Sequence, residues 1–263
     1  MGTSRTVGWE GFFNTRDLGG LPTRSGRPTR HGAFFRSADL RFVTEAGWSQ
    51  AREAGLRTIV DLRNAAEIRP TAESPTAPAG SARFTAPAGT AAPSGINRVE
   101  VPLDDVEDVE LWQHISDEHL DGSPLYYRVF LERKPERCAA LITALAQTGP
   151  GAVLFHCGSG RDRAGLVSLM LLALAGVEPE AIAADYELST EGVRPLYATL
   201  GVEDQGPLIE SMLAQHGTTK RDAVLHTLDG FDAEKYLLDA GVSTADLKNL
   251  RSRFLPIRPE AGG

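Results

Sequence analysis

The first continuous apolar stretch, Gly32-Ala33-Phe34-Phe35-Arg36-Ser37, is short and predicts a strand. Thr44 followed by Glu45 has the form of a helix start, and Gly55 that of its stop. Leu56 to Leu62 (LRTIVDL) is apolar and β-branched, as a buried strand is, so the opening predicts strand, helix, strand. Val99 to Leu103 predicts a further strand that runs into the acidic stretch 104–110, which reads as a solvated face. Between Pro135 and Gln147 apolar residues recur at helical spacing around Cys138, Leu141, Ile142 and Leu145, which makes Cys138 a small hydrophobe on the buried face. Ala152-Val153-Leu154-Phe155 is wholly apolar, the pattern of a strand covered on both faces of a mostly parallel sheet. Gly165 to Ala175 is apolar nearly all round and predicts a helix buried in protein, stopped by Gly176. Pro179 opens another helix to about Ser189, more lie between Val202 and Ala240, and Ser243 with Asp246 caps the last.

These elements predict an α/β fold: a central, largely parallel sheet with helices on both faces, in one domain over residues 1–263. Its helical C-terminal portion, 190–255, is a candidate lid. Residues 71–95, dense in Ala, Pro, Gly, Ser and Thr, read as a low-order loop inserted in that domain. The net charge of −8 argues against general affinity for nucleic acid or anionic membrane, so a bound anion must be drawn by a local site. Two cysteines, Cys138 and Cys157, give no disulfide framework. No run approaches membrane-spanning length and the start lacks a secretory apolar run, so the expected location is cytoplasmic; Met1-Gly2 with Thr6 matches only a loose myristoylation pattern. His114 and His119 are five apart and the acidic run has no ligand spacing, so neither a metal nor a cofactor is expected.

The most informative segment joins the apolar strand to the buried helix: His156-Cys157-Gly158-Ser159-Gly160-Arg161-Asp162-Arg163-Ala164-Gly165. A turn from strand to helix aims backbone N–H groups and the positive helix end at one point, which binds a dianion such as phosphate, and Gly158 and Gly160 let it curl. A thiol at that point is expected to ionise below its ordinary value, making Cys157 a nucleophile. Six positions on, the planar fork of Arg163 suits two phosphoryl oxygens.

His-Cys-x5-Arg resembles the signature of the cysteine-based protein tyrosine phosphatase superfamily. The chain is most similar to its atypical bacterial branch of tyrosine and dual-specificity phosphatases, some of which also act on phosphoinositides. The resemblance rests further on Asn14 to Gly20, Arg36-Ser37, Asp61-Leu62-Arg63 with Glu67, Asp185-Tyr186-Glu187-Leu188-Ser189, and the segment from Tyr236-Leu237 to Arg251. It implies a metal-free, two-step hydrolysis through a phosphocysteine on Cys157, with Arg163 as the clamp, and with Gly158, Ser159, Gly160, Arg161, Ala164 and Gly165 completing the phosphate loop. The general acid is Asp162 by analogy with the branch, with Asp104 or Asp105 as the alternative. His156 is expected to orient the loop, and Asn14, Arg16 and Asp17 to brace it. Arg161, where inositide-active relatives carry lysine, either favours substrates with more than one anionic group or only shapes the rim.

One departure stands out. The family usually has Ser or Thr after the arginine, and here the residue is Ala164, so dephosphorylation of Cys157 is expected to be slow. Phosphotyrosine protein, phosphoinositide and a small phosphomonoester remain open as substrates. A low-turnover phospholigand-binding module is the rival from another class, and a rhodanese-like sulfurtransferase the rival chemistry. A nucleotide-binding loop is excluded by the glycine spacing and by the lack of Gly-Lys-Ser/Thr.

Overall fold

The computed structural model describes residues 5–69 and 93–255. The start of the chain and most of the expected insertion at 71–95 lie outside the described residues. In chain order the elements are strand β1 (Arg16–Asp17), strand β2 (Phe34–Ser37), helix α1 (Glu45–Glu53), strand β3 (Leu56–Asp61), helix α2 (Ala65–Ile68) and strand β4 (Asn97–Glu100). Helices α3 (Val109–Asp117), α4 (Tyr126–Arg133) and α5 (Pro135–Ala146) lead to strand β5 (Ala152–His156) and helix α6 (Asp162–Leu174). Seven helices follow among the described residues: α7 (Pro179–Glu187), α8 (Ser189–Gly192), α9 (Arg194–Leu200), α10 (Gly206–Gln215), α11 (Lys220–Leu228), α12 (Ala233–Asp239) and α13 (Thr244–Phe254).

The sheet has the order β1-β2-β5-β3-β4, parallel throughout except for the antiparallel β1 edge. Strand β5 is central and buried along its whole length, so its apolar run has a partner on either side and a layer over either face. Alternate residues divide between those layers. Phe34, Val153 and Phe155 pack into the larger core with α5, α6 and α13, while Phe35, Ala152 and Leu154 meet Phe12 and Ala51 of the α1 side. The expected α/β arrangement is therefore the one found. Cys138 is fully buried on α5, where burial pushes its thiol up to about 12.

Three boundaries differ from the expectation. The fourth strand ends at Glu100 because its pairing with β3 runs only from Asn97 to Glu100. Helix α6 starts at Asp162, three residues before the apolar run. The acidic stretch is also not a plain solvated face: Asp108 accepts a hydrogen bond from the Leu111 N–H at 2.9 Å and so starts α3, whose Leu111 and Ile115 are buried one turn apart.

Beside the sheet, a buried ionic knot joins β1, β2 and α7. The Asp185 carboxylate accepts from Arg5 Nη1 (2.7 Å), Arg16 Nε (3.0 Å) and Arg36 Nη1 (2.7 Å), and Arg16 Nη2 also donates to Ser189 Oγ at 2.9 Å. Burial works against the charge on Asp185, but Arg16, Arg36 and Arg5 overcome it and hold the carboxyl well below its usual range. Burial, aided by nearby Arg36, lowers Arg16 to about 10.

Removing the one carboxylate leaves buried arginines uncompensated. Asp185→Asn is therefore expected to lower unfolding free energy by about 3–5 kcal/mol. Asp239→Asn, which breaks an exposed pair with Lys235, should leave stability close to that of wild type. A depressed carboxyl stabilises the fold above its unfolded pKa of about 4 and loses that contribution as pH falls toward the folded value. Urea unfolding should thus show the Asp185→Asn deficit at pH 7 and a narrowing gap below pH 4; equal stability of the two variants at pH 7 would contradict this account.

Candidate active site

The carboxyl ends of parallel strands are where an open α/β sheet binds ligands, and the central strand here delivers the glycine-rich loop to that edge. Residues 157–161 turn from β5 into α6, whose N-terminus points back at the turn. Cys157 lies at its centre, 2% exposed, with the N–H groups of Ala164 and Gly160 aimed at its sulfur. Gly160 has φ +68°, and a Cβ there would lie 2.5 Å from the Ser37 carbonyl, so only glycine fits this approach of loop to β2.

Arg163 comes from the first turn of α6. Its guanidinium donates to Glu67 through two parallel bonds, Nη1 to Oε2 at 2.6 Å and Nη2 to Oε1 at 2.7 Å, and Nη1 lies 3.3 Å from Asp104 Oδ2. Glu67 is fixed by its own helix start, because its Oε2 also accepts from the Asn64 N–H at 2.9 Å. Burial opposes the Glu67 charge, yet Arg163 holds that carboxyl below its usual range. Asp104 is different: burial lifts it to about 6 against the pull of Arg163, and Glu67 and Asp162 add to the rise.

The lowered thiol expected from the sequence is not what this closed arrangement gives. Burial pushes Cys157 up, Arg163 and the two N–H groups oppose the rise, and Asp162 adds to it. The physical reason is burial: the cost of placing a thiolate in a closed pocket exceeds what Arg163 and the two N–H groups return.

Across the full length of this fold, the tyrosine phosphatase family model matches residues 7–256. The chain belongs to the tyrosine phosphatase family. A Cupriavidus necator protein named as a tyrosine-protein phosphatase is 29% identical over 95% of this chain and 88% of its own. A tyrosine-protein phosphatase of Nostoc commune is 28% identical over 84% of this chain and 74% of its own. The triple specificity protein phosphatase PtpB of Mycobacterium tuberculosis is 26% identical over 93% and 97% respectively. The chain is a cysteine-based phosphatase and acts on phosphorylated substrates.

The phosphatase brings together Cys157, Arg163, Asp104, Asp162 and the loop, as the sequence suggested. Asp105 turns away, its carboxylate held by Lys134 Nζ and Arg137 Nη2, each at 2.9 Å. Asp162 accepts Arg161 Nε at 3.0 Å and Nη2 at 3.1 Å. Arg161 is therefore not an exposed rim residue: it is 5% exposed and also reaches Gln205 Oε1 at 3.4 Å, which Tyr197 Oη approaches at 3.1 Å. Among the expected braces, Asn14 Nδ2 donates to the Ser159 carbonyl at 2.9 Å, and Arg16 Nη1 holds Asn14 Oδ1 at 2.8 Å. Asp17 does not reach the loop; it accepts from the N–H groups of Gly19 and Gly32 instead. His156 Nδ1 stands 3.3 Å from the Cys157 carbonyl, and its Nε2 faces Asp61 at 3.4 Å. Sequence reasoning gave no role to Tyr126, Tyr127 or Gln205, which carry no local pattern tying them to the loop.

Adding a methyl at Gly160 should strain the loop and push it off β2. Gly160→Ala is expected to lose about 1–3 kcal/mol of stability and to weaken inorganic phosphate binding at least roughly tenfold. Gly149→Ala, whose Cβ meets nothing within 4 Å, should change stability by under about 0.5 kcal/mol. Isothermal titration with phosphate, beside urea unfolding, reads both; full affinity in Gly160→Ala would mean the loop tolerates the side chain.

Proposed function

We propose that this phosphatase hydrolyses phosphotyrosine in proteins, with Cys157 as the nucleophile. The observation that carries the reading is the meeting of Cys157, two inward N–H groups and the Arg163 fork at the N-terminus of α6. The two-point grip of Arg163 on Glu67 is the grip it offers two equatorial oxygens of a phosphoryl group. The relatives' names, tyrosine-protein and triple specificity phosphatase, support phosphotyrosine as the substrate, and the sequence resemblance keeps phosphoinositide as the second choice.

Asp104 is proposed as the proton donor in place of Asp162. Asp162 spends both carboxylate oxygens on Arg161, whereas half-buried Asp104 faces Arg163 and keeps its proton to about pH 6. In the first step the Cys157 thiolate attacks phosphorus, the P–O bond to the leaving group breaks, and the Asp104 proton passes to the departing oxygen. Water then attacks the phosphocysteine, gives its proton to Asp104, and the P–S bond breaks to return the thiolate. Arg163 and the loop amides hold the oxygens through both steps. The cytoplasm, where a thiol stays reduced, is the proposed setting. The Gln205 contact to Arg161 makes the segment after α9 the part of the helical C-terminal region proposed as a lid.

Hydrolysis of a phosphotyrosine peptide is expected to persist in EDTA and to vanish in Cys157→Ser; turnover surviving that substitution would remove the mechanism. A free-enzyme kcat/KM that needs protonated Asp104 falls as pH rises through about 6. Asp104→Asn should flatten that limb and lower the rate by about 10²–10⁴. A limb abolished by Asp162→Asn and retained in Asp104→Asn would reassign the acid.

Ala164 leaves the position after Arg163 without a hydroxyl to bond the departing thiolate. Stopped-flow release of p-nitrophenol should therefore show a burst and a slow steady state, with Ala164→Ser raising the steady-state rate. A linear trace from wild type would mean breakdown of the intermediate is not limiting.

A further inference from the structure

The loop binds an anion through N–H groups that face inward, and a peptide group can face one way only if its carbonyl is satisfied on the other. In this chain each carbonyl from His156 to Asp162 meets a donor outside the anion pocket. His156 O accepts from the Leu62 N–H at 2.9 Å, Cys157 O faces His156 Nδ1 at 3.3 Å, Gly158 O accepts from the Asp39 N–H at 2.9 Å, and Ser159 O from Asn14 Nδ2 at 2.9 Å. Arg36 Nη2 then takes two in succession, Gly160 O at 2.9 Å and Arg161 O at 3.0 Å, and Tyr127 Oη takes Asp162 O at 2.8 Å.

We propose that Arg36 and Tyr127 are positioning residues of the phosphatase reaction: they turn the last three loop carbonyls outward and thereby set the affinity of the loop for an oxyanion. This rests on the reading of the loop as the phosphate site. Arg36 is 1% exposed on β2, and its other terminal nitrogen, Nη1, is fixed by Asp185, so the fork cannot follow the loop if the loop moves. Tyr127 is fully buried on α4, and its hydroxyl abuts the first turn of α6 so closely that a Cβ on Gly165 would lie 2.2 Å from it. A buried ion pair is a poor source of net stability, since apolar packing of equal volume does as well. What packing does not supply is a donor for two consecutive carbonyls. A lysine keeps the charge and loses the fork.

The test uses the full chain and three variants, Arg36→Lys, Tyr127→Phe and Arg5→Gln, the last touching Asp185 and the Asp17 carbonyl but no loop carbonyl. Three quantities are read: inorganic phosphate affinity by isothermal titration, the pH dependence of Cys157 alkylation by iodoacetamide, and kcat beside KM. Urea unfolding reports stability separately. Arg36→Lys is expected to weaken phosphate about 10- to 100-fold and to lower kcat, and Tyr127→Phe to weaken it about 3- to 10-fold, each with the alkylation profile shifted to higher pH. Arg5→Gln should lose stability with phosphate affinity within about twofold of wild type. Folded Arg36→Lys and Tyr127→Phe that bind phosphate within twofold and alkylate as wild type would overturn the proposal, as would an equal loss of affinity in Arg5→Gln. If Arg36→Lys does not fold, Tyr127→Phe decides alone, because it removes one hydroxyl from an otherwise unchanged ring. Binding and alkylation need no turnover. A wild type that binds phosphate but shows no Cys157-dependent hydrolysis therefore sinks the functional reading and leaves this one standing.

Discussion

The direction of the peptide groups between β5 and α6 is the constraint on which the rest depends. Five residues must carry the chain out of the centre of a buried parallel sheet and into a helix that is apolar almost all round, without exposing any backbone group to a dry interior. The chain meets this by pairing the carbonyls behind the loop with donors from β2, α4 and the segments before β1 and after β3. The N–H groups of Gly160 and Ala164 are then left to aim at the Cys157 sulfur. The same accounting that satisfies the fold shapes the proposed anion site.

Charge follows from that arrangement. The donors behind the loop include Arg36, and Arg16 and Arg5 share its carboxylate, so the outer side of the loop is rich in positive charge that Asp185 offsets within the knot. The inner side carries Arg163, and here Glu67 and Asp104 take up the charge. One consequence is that two carboxylates already occupy the Arg163 fork proposed to hold a phosphoryl group. Glu67 is committed, since it also caps its own short helix through the Asn64 N–H. Asp104 has no such second duty among the contacts described for it, and burial leaves it ready to take a proton.

Much of this was legible in the sequence. The wholly apolar Ala152–Phe155 run gave the central strand, and the residues from His156 to Gly165 gave the loop, because strand, glycine and helix chemistry act over neighbouring positions. Long-range partners were not legible. Arg36 and Asp185 stood out as parts of separate motifs, but nothing local says that residues 149 positions apart share a proton-free carboxylate and a loop. The 104–110 run misled for the same reason: seven residues dense in charge look solvated until Lys134, Arg137 and Arg163 are brought to them by the fold. The thiol was misjudged too, because the helix end and the arginine are visible in sequence while the burial that outweighs them is set by the whole fold.

The pairing of a raised carboxyl with a raised thiol around one arginine has a mechanistic sense. Burial raises both Asp104 and Cys157, and Arg163 pulls each of them back toward its ionised form. With Asp104 ionised, Arg163 faces two carboxylates, Glu67 and Asp104. With Asp104 protonated, one negative neighbour of Arg163 is gone, so the guanidinium has more charge to offer an anion in the pocket. The carboxyl proposed as the acid is thus also a control on the charge of the proposed clamp, because a buried charge is costly unless it is paired.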